Sequence, residues 1–256
     1  MIDKIKNKIK EIVNKKSFHV VVISVTILVL LCILGITILN YNENGETNMP
    51  FIIKKISVIS TSEGIDKVSE GNKWAFDINQ NNDLYIYIDK NENFGKTEAI
   101  RSVVLDNFNL NKQKEIGVTK IYKPDATSEN QIFTNKEENV ENSITYVAGT
   151  ESKFKNLQIL NQGDVLVLRV ANSNVASYES NEEAEINHSE LLKKAGITNE
   201  KISGILTFDI TINLNSGKSF KANVKLNIPT GDIVENAIQN VEITDLKDVV
   251  FKRIKN

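Results

Sequence analysis

The sequence is poor in cysteine and histidine, and this limits the chemistry open to it. Its 256 residues include one cysteine, Cys32, and two histidines, His19 and His188. A lone cysteine excludes a disulfide within the chain and a zinc site made of several thiolates. Cys32 lies inside a long apolar run, and only His188 follows that run. Thiol catalysis and a two-histidine zinc site are therefore excluded from the main body.

The common catalytic signatures are also missing or incomplete. No G-x-S-x-G occurs, and Ser216–Ser219 ends like a phosphate-binding loop but has Ile212 where the first glycine belongs. We interpret Ser216–Ser219 as a turn. Ser152–Lys155 matches S-x-x-K, but its companion K-T-G fails because Glu98 follows Lys96 and Thr97. We predict no catalytic residue, no cofactor and no metal ligand, and so not an enzyme.

Charge is distributed unevenly along the chain. The formal net charge is −2, yet the first 17 residues carry six lysines against Asp3 and Glu11. The residues after position 39 hold 25 basic and 31 acidic side chains, a charge of −6. An acidic main body argues against nucleic acid as a partner, which calls for a basic surface.

Residues 18–39 form an uninterrupted run of 22 residues without Asp, Glu, Lys or Arg. A helix of that length spans about 33 Å, and the hydrocarbon core of a bilayer is about 30 Å thick. The apolar core of a cleaved signal peptide is shorter and ends at small residues, which do not follow here. The run therefore predicts an uncleaved transmembrane signal-anchor, with cleavage near 37–40 as the rival interpretation.

The flanks of this run predict its orientation. Six lysines precede it, and residues 41–53 contain neither Lys nor Arg. The positive-inside rule then places residues 1–17 in the cytoplasm and residues 41–256 outside the cell. Apolar residues spaced by three and four in 1–17 also indicate a basic amphipathic helix on the inner leaflet, with lysines that serve only to set the topology as the alternative. Residues 40–50 are polar and are predicted to form a stalk.

The rest of the chain shows mainly β-strand patterns. Residues 206–214 and 220–228 alternate strictly between apolar and polar side chains around a glycine-bearing turn, which predicts a β-hairpin that ends at Pro229. Further strands are predicted at 74–78, 84–88, 100–108, 116–122 and 163–171, with a turn at 79–82. One short helix is predicted at 189–195, capped by Asn187 and closed by Gly196, after an exposed acidic loop.

These strands predict a mainly β fold, with a β-sandwich region that forms one unit or two lobes. We favour a first lobe at 51–123, a linker or long loop at 124–142, and a second lobe at 143–256. The polar composition of 124–142 is the reason for placing the boundary there.

Three groups of residues are candidates for binding or catalytic sites. Asp77, Asn79, Asn81 and Asp83, and then Asp89, Asn91 and Asn93, alternate like calcium loops, but both lack the required glycine and glutamate. Trp74, Phe76, Tyr85 and Tyr87 could form a sugar platform, but alternation favours core positions for them. A pair of carboxylates for glycoside hydrolysis stays open, because their separation is set in space.

Three runs carry a resemblance to known sequences. They are residues 56–91, which begin ISVISTSEG and end in DLYIYIDKN, residues 185–197 and residues 241–253. They resemble uncharacterised single-pass membrane proteins of clostridia-like Gram-positive bacteria. The resemblance implies an anchored domain outside the membrane and no particular activity.

Together these features predict a binding protein of the bacterial cell envelope. Its partners would be the lipid bilayer, which holds the anchor, and either an envelope protein or a cell-wall polymer. The alternative is a wall-active hydrolase that uses a carboxylate pair, and it predicts two close carboxyls with at least one raised pKa.

Overall fold

A computed structural model describes residues 5–7, 16–44, 49–67, 74–126, 128, 131–134, 140, 142–149, 156–180 and 187–254. The chain divides into two compact units, Met1–Glu46 and Thr47–Asn256. The predicted basic helix of 1–17 lies almost wholly outside the described residues, of which Ile5–Asn7 are helical.

The first unit contains one long helix, α1 (Lys16–Asn44). Within it Phe18–Leu39 is long and apolar enough to cross a membrane. Almost all of these side chains are exposed in the isolated chain. The helix therefore has the length and the apolar composition of the predicted span.

The second unit contains the strands, which form two sheets. Sheet A has the order β10-β1-β2-β7-β4 and sheet B the order β11-β9-β8-β3-β5-β6. Neighbouring strands are antiparallel, except that β5 and β6 are parallel. The strands of sheet A are β1 (Phe51–Asp66), β2 (Trp74–Lys90), β4 (Val118–Tyr122), β7 (Val165–Ser180) and β10 (Ile238–Ile243). The strands of sheet B are β3 (Ile100–Lys112), β5 (Ser143–Gly149), β6 (Gln158–Leu160), β8 (Gly204–Leu214), β9 (Ser219–Ile228) and β11 (Lys252–Ile254).

The two sheets face each other across one main core. Val58 and Leu84 of sheet A and Leu105 and Phe208 of sheet B are completely buried in the same apolar cluster. Tyr146 of β5 crosses this core and donates a hydrogen bond to the carbonyl oxygen of Val167 in β7. The predicted mainly β fold with a sandwich is therefore confirmed.

The division into two lobes does not match the strand order. Both sheets contain strands from before residue 123 and strands from after residue 143, and Thr47–Asn256 is one compact unit. For example, β2 lies between β1 and β7, and β3 lies between β8 and β5. The boundary was placed on local polarity, whereas strand pairing connects residues far apart in the sequence.

The predicted hairpin is present as β8 and β9. Leu206 pairs with Leu226 and Ile212 with Phe220, and these four side chains are buried. Strand β9 ends at Ile228, and the bond to Pro229 is cis.

The predicted turn at 79–82 is wrong, because β2 runs through it without a break. Gln80 and Asn82 point into the sandwich and are buried, together with Ser60, Asn172 and Thr230. The Ser60 hydroxyl donates to Asn82 Oδ1 over 2.8 Å and accepts from the Thr230 amide over 2.9 Å. Polar side chains can lie on the inner face of a strand when distant partners satisfy them.

This polar layer separates the main core from a smaller apolar cluster. Phe76, Ile78 and Val175 of sheet A are buried there against short helical segments. Those segments are a 3₁₀ helix (His188–Glu190), α2 (Leu191–Lys194), α3 (Asn199–Ile202) and α4 (Ile233–Asn236). The predicted helix at 189–195 is confirmed, since Asn187 Oδ1 accepts from the Ser189 amide and Gly196 closes it with a left-handed φ of +69°.

Two boundaries differ from those predicted. The stalk at 40–50 begins inside α1, which ends at Asn44, and Met49 and Pro50 are already buried in the second unit. The acidic run before the short helix is predicted to be an exposed loop, but its first residues, 177–180, belong to β7, which ends at Ser180. Residues 181–186 lie outside the described part.

Candidate binding groove

Sheet B has a partly open edge at strand β9. Strand β11 pairs with Ser219–Lys221 only. In the described part of the chain, no strand pairs with Ala222–Ile228 on the side away from β8. Alternate residues of an edge strand direct their backbone N–H and C=O groups outwards. This free edge of β9 therefore offers hydrogen-bonding groups along seven residues.

A groove of about 840 Å³ runs beside this edge. One side is β9, and the other is the C-terminal segment 243–254, which leads from β10 to β11. Leu246, Val249 and Phe251 of that segment pack on the main core and fix its course. The apolar part of the lining is formed by Ala222, Leu226, Ile243, Leu246, Val249 and Val250. Its size falls within the range of about 300–1,000 Å³ that is usual for ligand sites.

The rim on the β9 side is basic. Lys221 lies on the outer face of sheet B, with its Nζ 2.9 Å from Asp209 and 3.6 Å from Asp106. The hydrogen bond to Asp209 raises the pKa of Lys221 although burial acts against it. Lys225 lines the groove on the same side, and Lys252 of β11 lines it from the opposite side; no other described residue forms an ion pair or hydrogen bond with either ammonium group.

The opposite rim carries two carboxylates. Asp245 lies 3.2 Å from Lys247, in a fully solvated ion pair, and Asp248 lies three residues further on. The groove thus has an apolar floor between a basic and an acidic rim. Such a floor suits apolar side chains, and the charged rims select the orientation of a ligand.

The closest match to a catalytic carboxylate pair is Asp106 and Asp209, which lie directly opposite each other on β3 and β8. Burial acts to raise the pKa of Asp209, but hydrogen bonds from Asn107, Asn223 and Lys221 outweigh it, and the pKa is lowered. The other described carboxyls with a shifted pKa, Asp77, Asp89 and Asp232, are lowered too. A general acid needs a shift in the other direction.

The residues of the first calcium-like pattern lie along the outer face of β2. Asp77 binds Lys67 and Ser177, Asn79 Oδ1 accepts from the Asn174 amide at a bulge of β7, and Asp83 forms a bidentate ion pair with Arg169. A strand spaces alternate residues about 7 Å apart, too far for them to surround one ion.

The second pattern lies at a turn. Asp89 pairs with Lys54, the Asn91 side chain donates to the Met49 carbonyl, and the Asn93 amide donates to Asn91 Oδ1. Neither pattern forms a metal-binding group among the described residues.

The aromatic residues do not form one platform. Phe76 is buried, but Trp74 is 46% exposed, so its predicted core position is wrong. Its ring stacks on Phe76 at the start of β2, where the small core ends. Tyr85 and Tyr87 lie half-buried on the outer face of sheet A, with Lys55 Nζ 4.6 Å from the centre of the Tyr87 ring.

The remaining candidates have structural positions. Ser216 and Gly217 form the exposed turn between β8 and β9, with Gly217 at a φ of +83°. His188 is exposed at the start of its 3₁₀ helix, as expected, and packs edge-on against Phe76. Ser152–Lys155 lies outside the described residues.

Sequence reasoning missed the groove itself. Its two sides come from β9 and from residues 243–254, which meet through the long-range pairing of β11 with β9 and through packing on the main core. The available local signal was the alternation of Lys221, Asn223 and Lys225 with apolar residues, which marks a strand with a basic outer face.

Comparisons with family models, curated proteins and solved structures give no match to this chain. The resemblance to clostridia-like membrane proteins therefore stays a prediction.

Proposed function

We propose that this protein is a membrane-anchored binding protein of the bacterial cell envelope, and that the groove beside β9 holds its partner. The groove carries this proposal, because it joins an apolar floor, a basic rim and a free strand edge in one place. Unsatisfied edges are normally covered or blunted in stable proteins, so an open edge beside an apolar groove favours an interaction site.

The anchor and its flanks support a location outside the cytoplasm for the second unit. The apolar span is Phe18–Leu39, with lysines before it and none directly after it. A single pass with the N-terminus inside would present the groove to the cell wall. The acidic net charge of the residues after position 39 makes nucleic acid an unsuitable partner.

A protein partner fits the groove better than a wall polymer does. A free strand edge supplies regularly spaced backbone groups, which a polypeptide matches and a glycan does not. The hydrolase alternative has weaker support, because Lys221 bridges Asp106 and Asp209 and the pKa of Asp209 is lowered.

The proposal can be tested by photo-crosslinking in intact cells. A photoreactive amino acid replaces Lys225 in the groove or, as a matched control, Lys120 on the outer face of sheet A. Both lysines are exposed. The proposal expects a discrete crosslinked partner from position 225 only. Equal products at both positions, or none at 225, would contradict it.

A further inference from the structure

We infer that the groove binds an extended peptide segment that adds a strand to the free edge of β9. This inference deepens the proposed function, because it names the chemical form of the partner. The seven residues Ala222–Ile228 span about 24 Å at about 3.4 Å per residue, enough to pair with a segment of equal length. Strand addition of this kind obtains its affinity from main-chain hydrogen bonds and its selectivity from alternate side chains.

The alternation of β9 dictates the pattern of the added segment. Ala222, Val224 and Leu226 point inwards, while Asn223, Lys225 and Asn227 point outwards. Side chains of the segment that lie beside the inward row would enter the apolar groove. Those beside the outward row would be exposed and next to polar groups. The segment should therefore alternate apolar and polar residues.

Charge selects the central residue of the segment. Lys225 is the middle residue of the free edge, and within the described chain nothing else pairs with its ammonium group. Lys221, at one end, is already engaged by Asp209 at 2.9 Å. A glutamate or aspartate opposite Lys225 would complete an ion pair, as directly opposed charges on neighbouring strands do. Away from the centre the acidic rim at Asp245 and Asp248 disfavours further acidic residues.

The same features have a simpler interpretation, which the experiment must distinguish from strand addition. Lysines on an edge strand commonly prevent edge-to-edge aggregation. Under that interpretation Lys225 would repel added strands in general. Under ours it accepts one class of strand, with an acid at the centre, and rejects the same strand with a base there.

The probe is the peptide Val-Thr-Val-Glu-Val-Thr-Val with a solubilising tail, added to the full-length protein in detergent micelles. Affinity is measured by fluorescence anisotropy, and hydrogen exchange of Ala222–Ile228 reports the pairing. Control peptides carry a central lysine, a scrambled order, or N-methyl groups on alternate amides. We expect binding of the first peptide, binding at least about tenfold weaker for each control, and slowed exchange at alternate amides of β9.

Two variants in the groove and one control outside it test the inference without touching the core. Val250 lines the groove and is 48% exposed, whereas Val147 on β5 is 56% exposed and lies outside it. Val250→Asp should weaken binding about tenfold, and Val147→Asp should leave it unchanged. Lys225→Glu should reverse the preference between the central-glutamate and central-lysine peptides.

Each other result overturns the inference. Binding without slowed exchange in β9 would mean that the peptide lies elsewhere. Slowed exchange at the same amides through self-association, without peptide, would make a second copy the occupant. If no peptide binds but position 225 still crosslinks a partner in cells, a folded surface fills the groove and only the strand addition fails. If both experiments fail, the proposed function fails with it.

Discussion

Tyr146 offers a direct test of how the two sheets close on each other. Its side chain is fully buried in the main core, and its hydroxyl donates to the Val167 carbonyl of the opposite sheet. Tyr146→Phe keeps the ring and removes only this bond, so no large cavity forms. The loss of a buried hydrogen bond that leaves its acceptor unsatisfied should lower the free energy of unfolding by about 1–3 kcal/mol at pH 7.

The pH dependence makes this prediction specific to the buried hydroxyl. Burial raises the pKa of Tyr146 well above the ordinary value of 10.0. As the pH rises through 10, the unfolded chain releases the Tyr146 proton while the folded chain retains it, and the folded state loses stability. Between pH 9 and pH 11 the free energy of unfolding of the wild-type protein should therefore fall by about 1.4 kcal/mol more than that of Tyr146→Phe.

The assay is urea unfolding of the full-length protein in detergent, followed by the fluorescence of Trp74. Trp74 is the only tryptophan and stacks on Phe76 in the second unit, so its signal reports on that unit. The other tyrosines are the same in both proteins, and their contributions cancel in the comparison. Equal losses of stability over this pH range would show that the hydroxyl is not buried between two sheets, and the sandwich described here would be wrong.

Two further pairs of substitutions, each a test and its control, probe the contacts of sheet A by the same unfolding measurement. Arg169→Lys removes the bidentate contact with a carboxylate on β2, made over 2.6 and 2.8 Å, and should lower the free energy of unfolding by about 1–2 kcal/mol. As its control, Lys54→Ala removes a solvated ion pair and should change that free energy by less than about 0.5 kcal/mol. A Cβ at Gly64 would lie 2.4 Å from Leu191 Cδ1, so Gly64→Ala should lower the free energy of unfolding by about 1–3 kcal/mol. As its control, Gly95→Ala places no atom within 4 Å of its new Cβ and should have little effect. Equal effects within either pair would contradict the described contacts.

Sequence patterns predicted those parts of the fold that local chemistry decides. The hairpin of β8 and β9 follows from two runs in which apolar and polar side chains alternate around a turn, and this alternation is visible in consecutive residues of the sequence. The apolar span in α1 is equally local, since length and the absence of charge are sufficient. The short helix after Asn187 was recognisable from its cap and its closing glycine.

The errors arose where distant contacts decide the outcome. Residues 79–82 resemble a turn by composition, but Ser60 and neighbouring strands satisfy Asn82 inside the protein. Trp74 shares the alternation of Phe76, yet the small core ends between them, and only Phe76 is covered. The groove depends on the course of the C-terminal segment past β9, and no local pattern predicts which strand edge stays free.

The location of the second unit relative to the membrane is the central claim, and cysteine labelling tests it most directly. Cys32→Ser removes the only native thiol. One added cysteine, Ser216→Cys in the exposed turn before β9 or Lys6→Cys near the N-terminus, is then treated with a membrane-impermeant maleimide in intact cells. We predict labelling of the Ser216→Cys protein in intact cells and of the Lys6→Cys protein only after lysis. Labelling of the Ser216→Cys protein only after lysis would place the groove in the cytoplasm and contradict the account.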